Sequence, residues 1–288
     1  MAAPTGSGNR PILTYEELER FAKCVEDKSS GCRPTVGIIT PWLSELKQSL
    51  EERIKIPFSS IPDFPLSCEG AEDDGFVIGK LGGKTVICAE EHLHLYGGYP
   101  VWQVVASTRV MIILGIKSLV ITNYASSLNK SYNIGDIIIL KDHLFLPGLA
   151  GHNPLNGPAM ERLGERFVNV TNLYDTGFRE LCLDIAGELD YLDHVLEGSY
   201  AMVSGPSTAT PAELKLLVNA SCDVVGMDTC PLTIVAKQAG IKTLGLSLVI
   251  NRSKMDYDDE IQEHEDEAVI REIMPVVKLM LIKFLSRI

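Results

Sequence analysis

Short apolar, β-rich segments alternate with helix-like patterns from about residue 35 to the end of this 288-residue sequence. Such alternation predicts an α/β fold, in which a mixed, largely parallel sheet is flanked by helices on both faces. No linker-like tract divides the sequence. We therefore predict one α/β domain over residues 13–288, preceded by a disordered lead at 1–12. The predicted strands are 35–39, 76–81, 85–89, 119–122, 137–140, 195–203, 224–227 and 243–250.

Several local signals set the ends of elements. Gly82-Gly83 between two apolar segments predicts a β-hairpin. Pro100 and Gly115 are typical of the first and last positions of a helix, and they predict one helix between them. The other predicted helices are one that begins at a Thr14–Glu17 capping box, one that begins at a Thr210–Glu213 capping box, and a terminal amphipathic helix at 264–285.

Charge and cysteine usage exclude several classes of protein. The chain has 38 acidic and 26 basic residues, a formal charge of −12, which disfavours binding to nucleic acid or to an anionic membrane. No apolar segment approaches the roughly 18 residues that a membrane span requires. The seven cysteines are scattered without a C-x-x-C pair, which indicates buried free thiols. The first residues lack the apolar region of a signal peptide, so we predict a cytoplasmic protein.

Polar residues follow the predicted strands, at the edge of the sheet where α/β proteins bind ligands. Each such residue alone is more typical of a turn or a helix cap, but together they outline a cleft with hydroxyls, amides and a carboxylate. These segments are 40–42, 123–127, 142–143, 204–207, 226–229 and 251–252.

The segment at 91–100, EHLHLYGGYP, resembles the histidine-tyrosine-glycine-tyrosine segment of trimeric purine nucleoside phosphorylases. Further matches follow in the family's order to the C-terminus, and examples are 119–123, 135–137, 153–158, 164–167, 197–200, 205–207, 224–227 and 255–257. The resemblance implies the nucleoside phosphorylase fold, a homotrimer, and a small-molecule partner that is a nucleoside or a purine-like compound. It implies no cofactor.

Enzymes of this family use phosphate to attack C1 of the ribose, and the resemblance implies that their phosphate site is altered here. In the family's phosphate-binding loop, a Gly-Ser-Gly segment is replaced by one that contains Pro41 and Trp42. Three phosphate ligands, two of them basic and one a serine, are replaced by Glu72, His92 and Asp228. If each lost contact had contributed roughly 1.5–3 kcal/mol, the loss would be about 5–9 kcal/mol, or about four to six decades of phosphate-dependent efficiency.

The ribose and purine pockets are less altered in this comparison. The resemblance implies that Asn251 donates to the purine near N7 and that Phe167 closes a neighbouring subunit's site. Thr208 and Ala209 replace a stacking phenylalanine and a base-reading glutamate, which predicts weaker selection for 6-oxopurines. The other residues implied to contact the nucleoside are His94, Tyr96, Asn123, Tyr124, Tyr200, Met227 and His264.

Three residues allow a second interpretation. His92 and His94 alternate as a metal-binding pair would, but a third ligand is lacking, so we predict a hydrogen-bonded histidine and no metal. Asp228 fits a cation-binding or general-base role as well as it fits a helix N-cap before Thr229. Trp42 either fills the former phosphate pocket or packs against the following helix.

Three hypotheses of function follow. The first is a pseudoenzyme that binds a nucleoside, a purine base or a similar aromatic ligand and has lost most phosphorolysis. The second is a nucleoside-cleaving enzyme with an altered nucleophile, in which Asp228 and neighbouring acids activate water. The third is an active phosphorylase, a pentosyltransferase of purine salvage, in which other groups hold the phosphate.

Overall fold

The strands form one mixed sheet in a computed structural model that describes residues 12–67, 74–90, 93–254 and 266–288. Their order in the sheet is β2-β3-β4-β1-β5-β8-β7-β6-β9. Five of the nine pairings among these strands are parallel and four are antiparallel, so the sheet is mixed, while a largely parallel sheet is not confirmed. The strands are β1 (Val36–Ile39), β2 (Glu51–Pro57), β3 (Gly75–Leu81), β4 (Lys84–Ala89), β5 (Ser118–Ser127), β6 (Ile137–Phe145), β7 (Val195–Met202), β8 (Val224–Gly226) and β9 (Lys242–Arg252).

One end of the sheet closes into a barrel. The last strand in the order, β9, pairs in parallel with β5 over 118–127, so that β5, β8, β7, β6 and β9 form a ring. The remaining strands, β1 to β4, continue from β5 as an open sheet. Closure pairs both edges of each of these five strands, so none of them is an edge strand.

The core lies on both faces of the open sheet and inside the barrel. Adjacent residues of β1 point to opposite faces, so Ile38 packs in one apolar cluster and Ile39 in the other. A strand covered on both faces requires an unbroken apolar run, and that is the pattern from which β1 is predicted. Inside the barrel, Leu140, Tyr174 and Tyr200 are buried together.

Helices cover the sheet, and the two capping boxes are present as predicted at Thr14 and Thr210. Between Pro100 and Gly115, the single predicted helix is wrong. Two short helices meet at Val105, whose φ of −89° and ψ of 4° interrupt the helical geometry. The helices are α1 (Tyr15–Lys28), α2 (Leu43–Leu46), α3 (Val101–Val104), α4 (Ala106–Ile113), α5 (Leu146–Leu149), α6 (Thr176–Glu188), α7 (Pro211–Asn219), α8 (Cys230–Gln238) and α9 (Asp266–Arg287), with short 3₁₀ turns between some of them.

Three strands are longer than the sequence predicts, and this changes where the polar residues lie. Asn123 and Tyr124 belong to β5, His143 belongs to β6, and Asn251 belongs to β9, so none of them follows a strand as predicted. Barrel closure explains the extension, because β5 and β9 keep pairing beyond the apolar segment at Ser126↔Asn251 and Ser127↔Arg252. The hairpin at Gly82-Gly83 is confirmed between β3 and β4.

Within the described residues, no helix is both long enough and apolar enough to cross a bilayer. The six described cysteines are free thiols, and four of them are buried. Burial raises the pKa of the Cys182 thiol to about 12, which keeps that thiol protonated and unreactive at neutral pH.

Candidate active site

A histidine and a carboxylate pair at the mouth of the barrel. Nδ1 of His94 lies 2.7 Å from Oδ1 of Asp228. The two side chains are 20% and 26% exposed, so solvent reaches the pair. The predicted N-cap role of Asp228 is wrong, because the N-cap of α8 is Thr229 and no side chain caps that helix. The alternative, a cation-binding or general-base carboxylate, stays a prediction.

The backbone at Thr229 is strained, and it directs Asp228 toward His94. Thr229 has a φ of 78° and a ψ of −54°, and the Cys230 N–H donates to the Asp228 carbonyl at 2.9 Å. These values describe a classic γ-turn, a rare conformation that is unfavourable for a β-branched residue. Strain of this kind persists only where surrounding contacts enforce it, and it is frequent at functional sites.

Hydrogen bonds from two neighbouring strands hold this turn. The Nδ2 of Asn123, in β5, donates to the Thr229 hydroxyl at 2.7 Å. The backbone N–H of Asp228 donates to the hydroxyl of Tyr200, in β7, at 3.2 Å. Asn123, Thr229 and Tyr200 are all buried, so the position of Asp228 is set by the barrel itself.

Tyr96 forms the outer wall beside His94. The two rings stack with their centroids 4.6 Å apart and an interplanar angle of 8°. Tyr96 is 42% exposed, which leaves much of its ring available to a ligand. A planar, exposed aromatic surface beside polar groups is suited to binding a sugar or a heterocycle.

Trp42 and Tyr124 form a second, apolar part of the site next to β1. Their ring centroids lie 5.5 Å apart, and Trp42 is only 3% exposed. Trp42 is also the N-cap residue of α2 and belongs to the same apolar cluster as Leu43 and Leu46, so it packs with the following helix as well as against Tyr124. Its indole Nε1 is buried and has no hydrogen-bond partner in the described part of the chain.

Acidic groups surround this second part. Burial and then the nearby Asp74 raise the pKa of Glu90, which follows β4. Burial, followed by the charges of Glu90 and Glu45, raises the pKa of Tyr124. The charges of Glu90 and Glu45 disfavour an anion beside Tyr124, whereas Lys47 acts on Glu90 in the opposite direction.

The other predicted site residues are more dispersed. Asn251 and Met227 are half-buried, on β9 and directly after β8. Thr208 is exposed and Ala209 half-buried on the loop before α7. Phe167 is 89% exposed and lies near Arg166, with 5.9 Å between the guanidinium carbon and the ring centroid. The predicted roles of Glu72, His92 and His264 lie outside the described residues.

Two features beside the site could not be assigned from the sequence. Thr229 lies in the predicted cleft segment 226–229, but its strained turn has no sequence signature, since a threonine is not expected at a positive φ. Glu90 does carry a signal, because it is the first polar residue after the apolar segment of β4.

The mixed sheet closes into a five-stranded barrel, and His94 contacts both Tyr96 and Asp228 beside it. The family model of the Phosphorylase superfamily matches residues 35–286. The chain belongs to this family.

The chain is also similar to individual curated proteins and solved structures. The chain is 36% identical over 257 residues to a purine nucleoside phosphorylase of Bos taurus, with 89% of each chain covered. A schistosoma purine nucleoside phosphorylase in complex with hypoxanthine aligns with a TM-score of 0.91 and 34% identity, covering 97% of this chain and 99% of that one. A Schistosoma mansoni purine nucleoside phosphorylase in complex with inosine aligns with a TM-score of 0.90 and 33% identity, covering 96% and 99%.

Proposed function

We propose that this protein binds a purine nucleoside at the barrel mouth and cleaves the bond between the purine and C1 of the sugar. The observation that carries the proposal is the convergence of His94, Tyr96 and Asp228 on one cleft, held by the buried Asn123 and Tyr200. The names of the relatives and the hypoxanthine and inosine in the similar structures support the same ligand class.

Cleavage of this bond requires stabilisation of the negative charge that develops on the departing purine. Asn251 carries an amide that can donate to the purine ring, and it lies on β9, which pairs with β5 beside the cleft. A positioned donor of this kind typically contributes about 10²–10³ in kcat when it is aimed at the developing charge. We propose this role for Asn251.

The test is release of purine base from inosine, guanosine and adenosine, each with and without inorganic phosphate. We expect release at enzymatic rates from at least one nucleoside. Asn251→Ala is expected to lower kcat by about 10²–10³. Asn219→Ala makes the same change at an exposed position at the end of α7 and is expected to leave the rate unchanged. Absence of base release from all three nucleosides would refute cleavage.

A second candidate function is nucleoside binding without phosphorolysis. Two observations favour it: the buried Trp42 packs beside Tyr124, and the Asp228 carboxylate beside His94 would repel an anion. Under this candidate, a nucleoside raises the unfolding temperature by mass action, while no base is released under any condition.

We also propose that the protein is a homotrimer of the cytoplasm. Phe167 is a large apolar side chain at 89% exposure, which suits a residue that is covered by a neighbouring subunit. Sedimentation equilibrium tests the trimer, and Phe167→Ser is expected to weaken it. The free thiols support a reducing compartment, and cell fractionation tests the location.

A further inference from the structure

We propose that His94 and Asp228 form a general-base pair that activates water, so that the cleft hydrolyses a purine nucleoside to free ribose and purine. The proposal rests on the proposed function, because it assigns the nucleophile of that same site. Its central observation is the 2.7 Å contact between the His94 Nδ1 and the Asp228 Oδ1.

The hydrogen bond sets which nitrogen of His94 can act as a base. An ionised carboxylate only accepts hydrogen bonds, so Nδ1 must be the donor and must carry the proton. In the neutral ring, Nε2 then holds a free electron pair. In the described part of the chain, the hydrogen bond of the His94 ring is the one from Nδ1 to Asp228, and at 20% exposure the ring is within reach of water.

Both members of the pair are held in place, as a general base requires. The stacked ring of Tyr96 restricts rotation of the His94 imidazole. The strained turn at Thr229 and the hydrogen bond from the Asp228 N–H to Tyr200 restrict the carboxylate. Asp228 is a positioning residue here: it orients the imidazole and stabilises the positive charge that the ring gains when it takes a proton.

The same carboxylate disfavours phosphate as the nucleophile. At neutral pH phosphate carries between one and two negative charges, and its approach to Asp228 is repulsive. On the side of Tyr124, the acidic groups Glu90 and Glu45 add to the negative field. Water is neutral and experiences no such repulsion. The charges of the cleft therefore favour water over phosphate.

The reaction balances without any further reactant. The water oxygen forms a bond to C1 of the ribose, and the bond between C1 and N9 of the purine breaks. The electron pair of the broken bond leaves with the purine. The proton of the attacking water goes to Nε2 of His94, whose imidazolium is paired with Asp228, and it returns through solvent to the purine. The products are one ribose and one purine base.

The experiment identifies the sugar product. The full-length protein is incubated with inosine in phosphate-free buffer and again with excess phosphate, and hypoxanthine, free ribose and ribose 1-phosphate are quantified. We expect hypoxanthine and free ribose in equal amounts at a rate that phosphate does not raise. In ¹⁸O-labelled water, the label is expected at C1 of the ribose.

Variants test the two residues separately. His94→Asn is expected to lower kcat by about 10²–10⁴, the usual contribution of a general base. Asp228→Ser removes the charge, and with excess phosphate it is expected to convert part of the product from ribose to ribose 1-phosphate. A purely structural role of Asp228 would not change the identity of the product.

His194→Asn is the matched control. Nδ1 of His194 lies 3.2 Å from Oδ1 of Asp136, so it forms the same type of pair, directly before β7 and at the opposite end of that strand from Tyr200. We expect this variant to hydrolyse inosine at the rate of the unmodified protein.

Failure of the inference is distinguishable from failure of the proposed function. A strict requirement for phosphate, with ribose 1-phosphate as the sugar product, overturns hydrolysis and leaves cleavage intact. Binding of inosine in calorimetry without base release overturns hydrolysis and favours the binding candidate. Absence of inosine binding overturns both. These outcomes come from the unmodified protein, so they do not depend on the folding of any variant.

Discussion

At the scale of single residues, the cleft combines strain with incomplete hydrogen bonding. Thr229 adopts a positive φ, and the buried Oδ1 of Asn123 and Nε1 of Trp42 have no hydrogen-bond partner among the described residues. A buried polar atom without a partner costs about 1–3 kcal/mol. Such costs are typical of sites that exchange stability for function.

Trp42 provides a stability test of this arrangement. Its ring is 3% exposed and packs on Tyr124, so Trp42→Ala is expected to lower the free energy of unfolding by about 3–5 kcal/mol. Trp42→Phe keeps an aromatic ring and removes the unpaired N–H, so we expect a change smaller than about 1.5 kcal/mol. Urea denaturation measures both. Equal losses for the two variants would show that the ring does not pack as described.

His143 makes stability depend on pH. Its Nδ1 lies 3.0 Å from the Tyr174 hydroxyl, and burial lowers the pKa of His143 to about 4. On acidification, the unfolded chain therefore binds a proton at His143 near pH 6.5, before the folded protein does. The contribution of His143 to the free energy of unfolding is full above about pH 6.5 and is lost as the pH falls toward 4. The whole effect is about 3 kcal/mol at most.

The measurement compares the unmodified protein with His143→Asn, whose amide can still bond to Tyr174. Urea midpoints are recorded at several pH values between 4 and 7. We expect the variant to lose less stability on acidification than the unmodified protein, since other groups titrate equally in both. Parallel pH profiles would contradict the assignment.

At the scale of elements, the sequence predicts what local chemistry determines. The capping boxes at Thr14 and Thr210 and the Gly82-Gly83 hairpin are confirmed, because each depends on residues within a few positions. The strand β2 was missed, since its exposed charged residues are stabilised by pairing with β3 rather than by burial. The break between α3 and α4 at Val105 was missed as well, since Pro100 and Gly115 mark only the two ends of the helical segment and not its interior.

At the candidate site, too, residue types could be predicted from the sequence, whereas contacts between distant residues could not. Residue types and the order of motifs led to His94, Tyr96, Asn123, Tyr200 and Asp228. Their contacts could not be predicted: His94 and Asp228 are separated by 134 positions in the sequence, and the closed barrel and the turn at Thr229 bring them together. From the sequence alone, Asp228 fits a helix cap and a functional carboxylate equally well, because an aspartate directly after a strand is typical of both.

The hairpin between β3 and β4 offers a matched pair of substitutions. Gly82 and Gly83 both have a positive φ, so alanine at either is expected to cost about 1–2 kcal/mol in backbone strain. A Cβ on Gly82 would also lie 2.6 Å from the Ile282 carbonyl oxygen of α9, whereas a Cβ on Gly83 has nothing within 4 Å. Overpacking of this kind adds about 1–3 kcal/mol.

We therefore expect Gly82→Ala to destabilise the protein more than Gly83→Ala does, because only the first displaces the terminal helix from the hairpin. Urea denaturation of the two variants under the same conditions gives the difference. An equal loss in both would mean that α9 does not pack on this turn.

At the scale of the whole molecule, the open sheet and the barrel share β5. This strand pairs with β1 on the open side and with β8 and β9 in the barrel. The apolar clusters also extend across the junction, since one cluster contains Val86 of the open sheet together with Leu246 of the barrel. Because the open sheet and the barrel share a strand and an apolar cluster, we expect residues 13–288 to unfold as one cooperative unit, although the chain is longer than most two-state domains.

Two glycines test this cooperativity from opposite parts of the sheet. A Cβ on Gly37, in β1, would lie 2.9 Å from the Ile116 Cδ1, and a Cβ on Gly226, in β8, would overlap the Tyr200 hydroxyl. Alanine at either position is expected to cost about 1–3 kcal/mol.

If the molecule unfolds as one unit, each variant lowers the same single midpoint, and tryptophan fluorescence and far-ultraviolet circular dichroism give coincident curves. If the barrel unfolded separately, Gly226→Ala would move only one of two transitions, and the two probes would diverge. Coincidence is the expected result, because loss of β5 from either part removes strand pairing from the other.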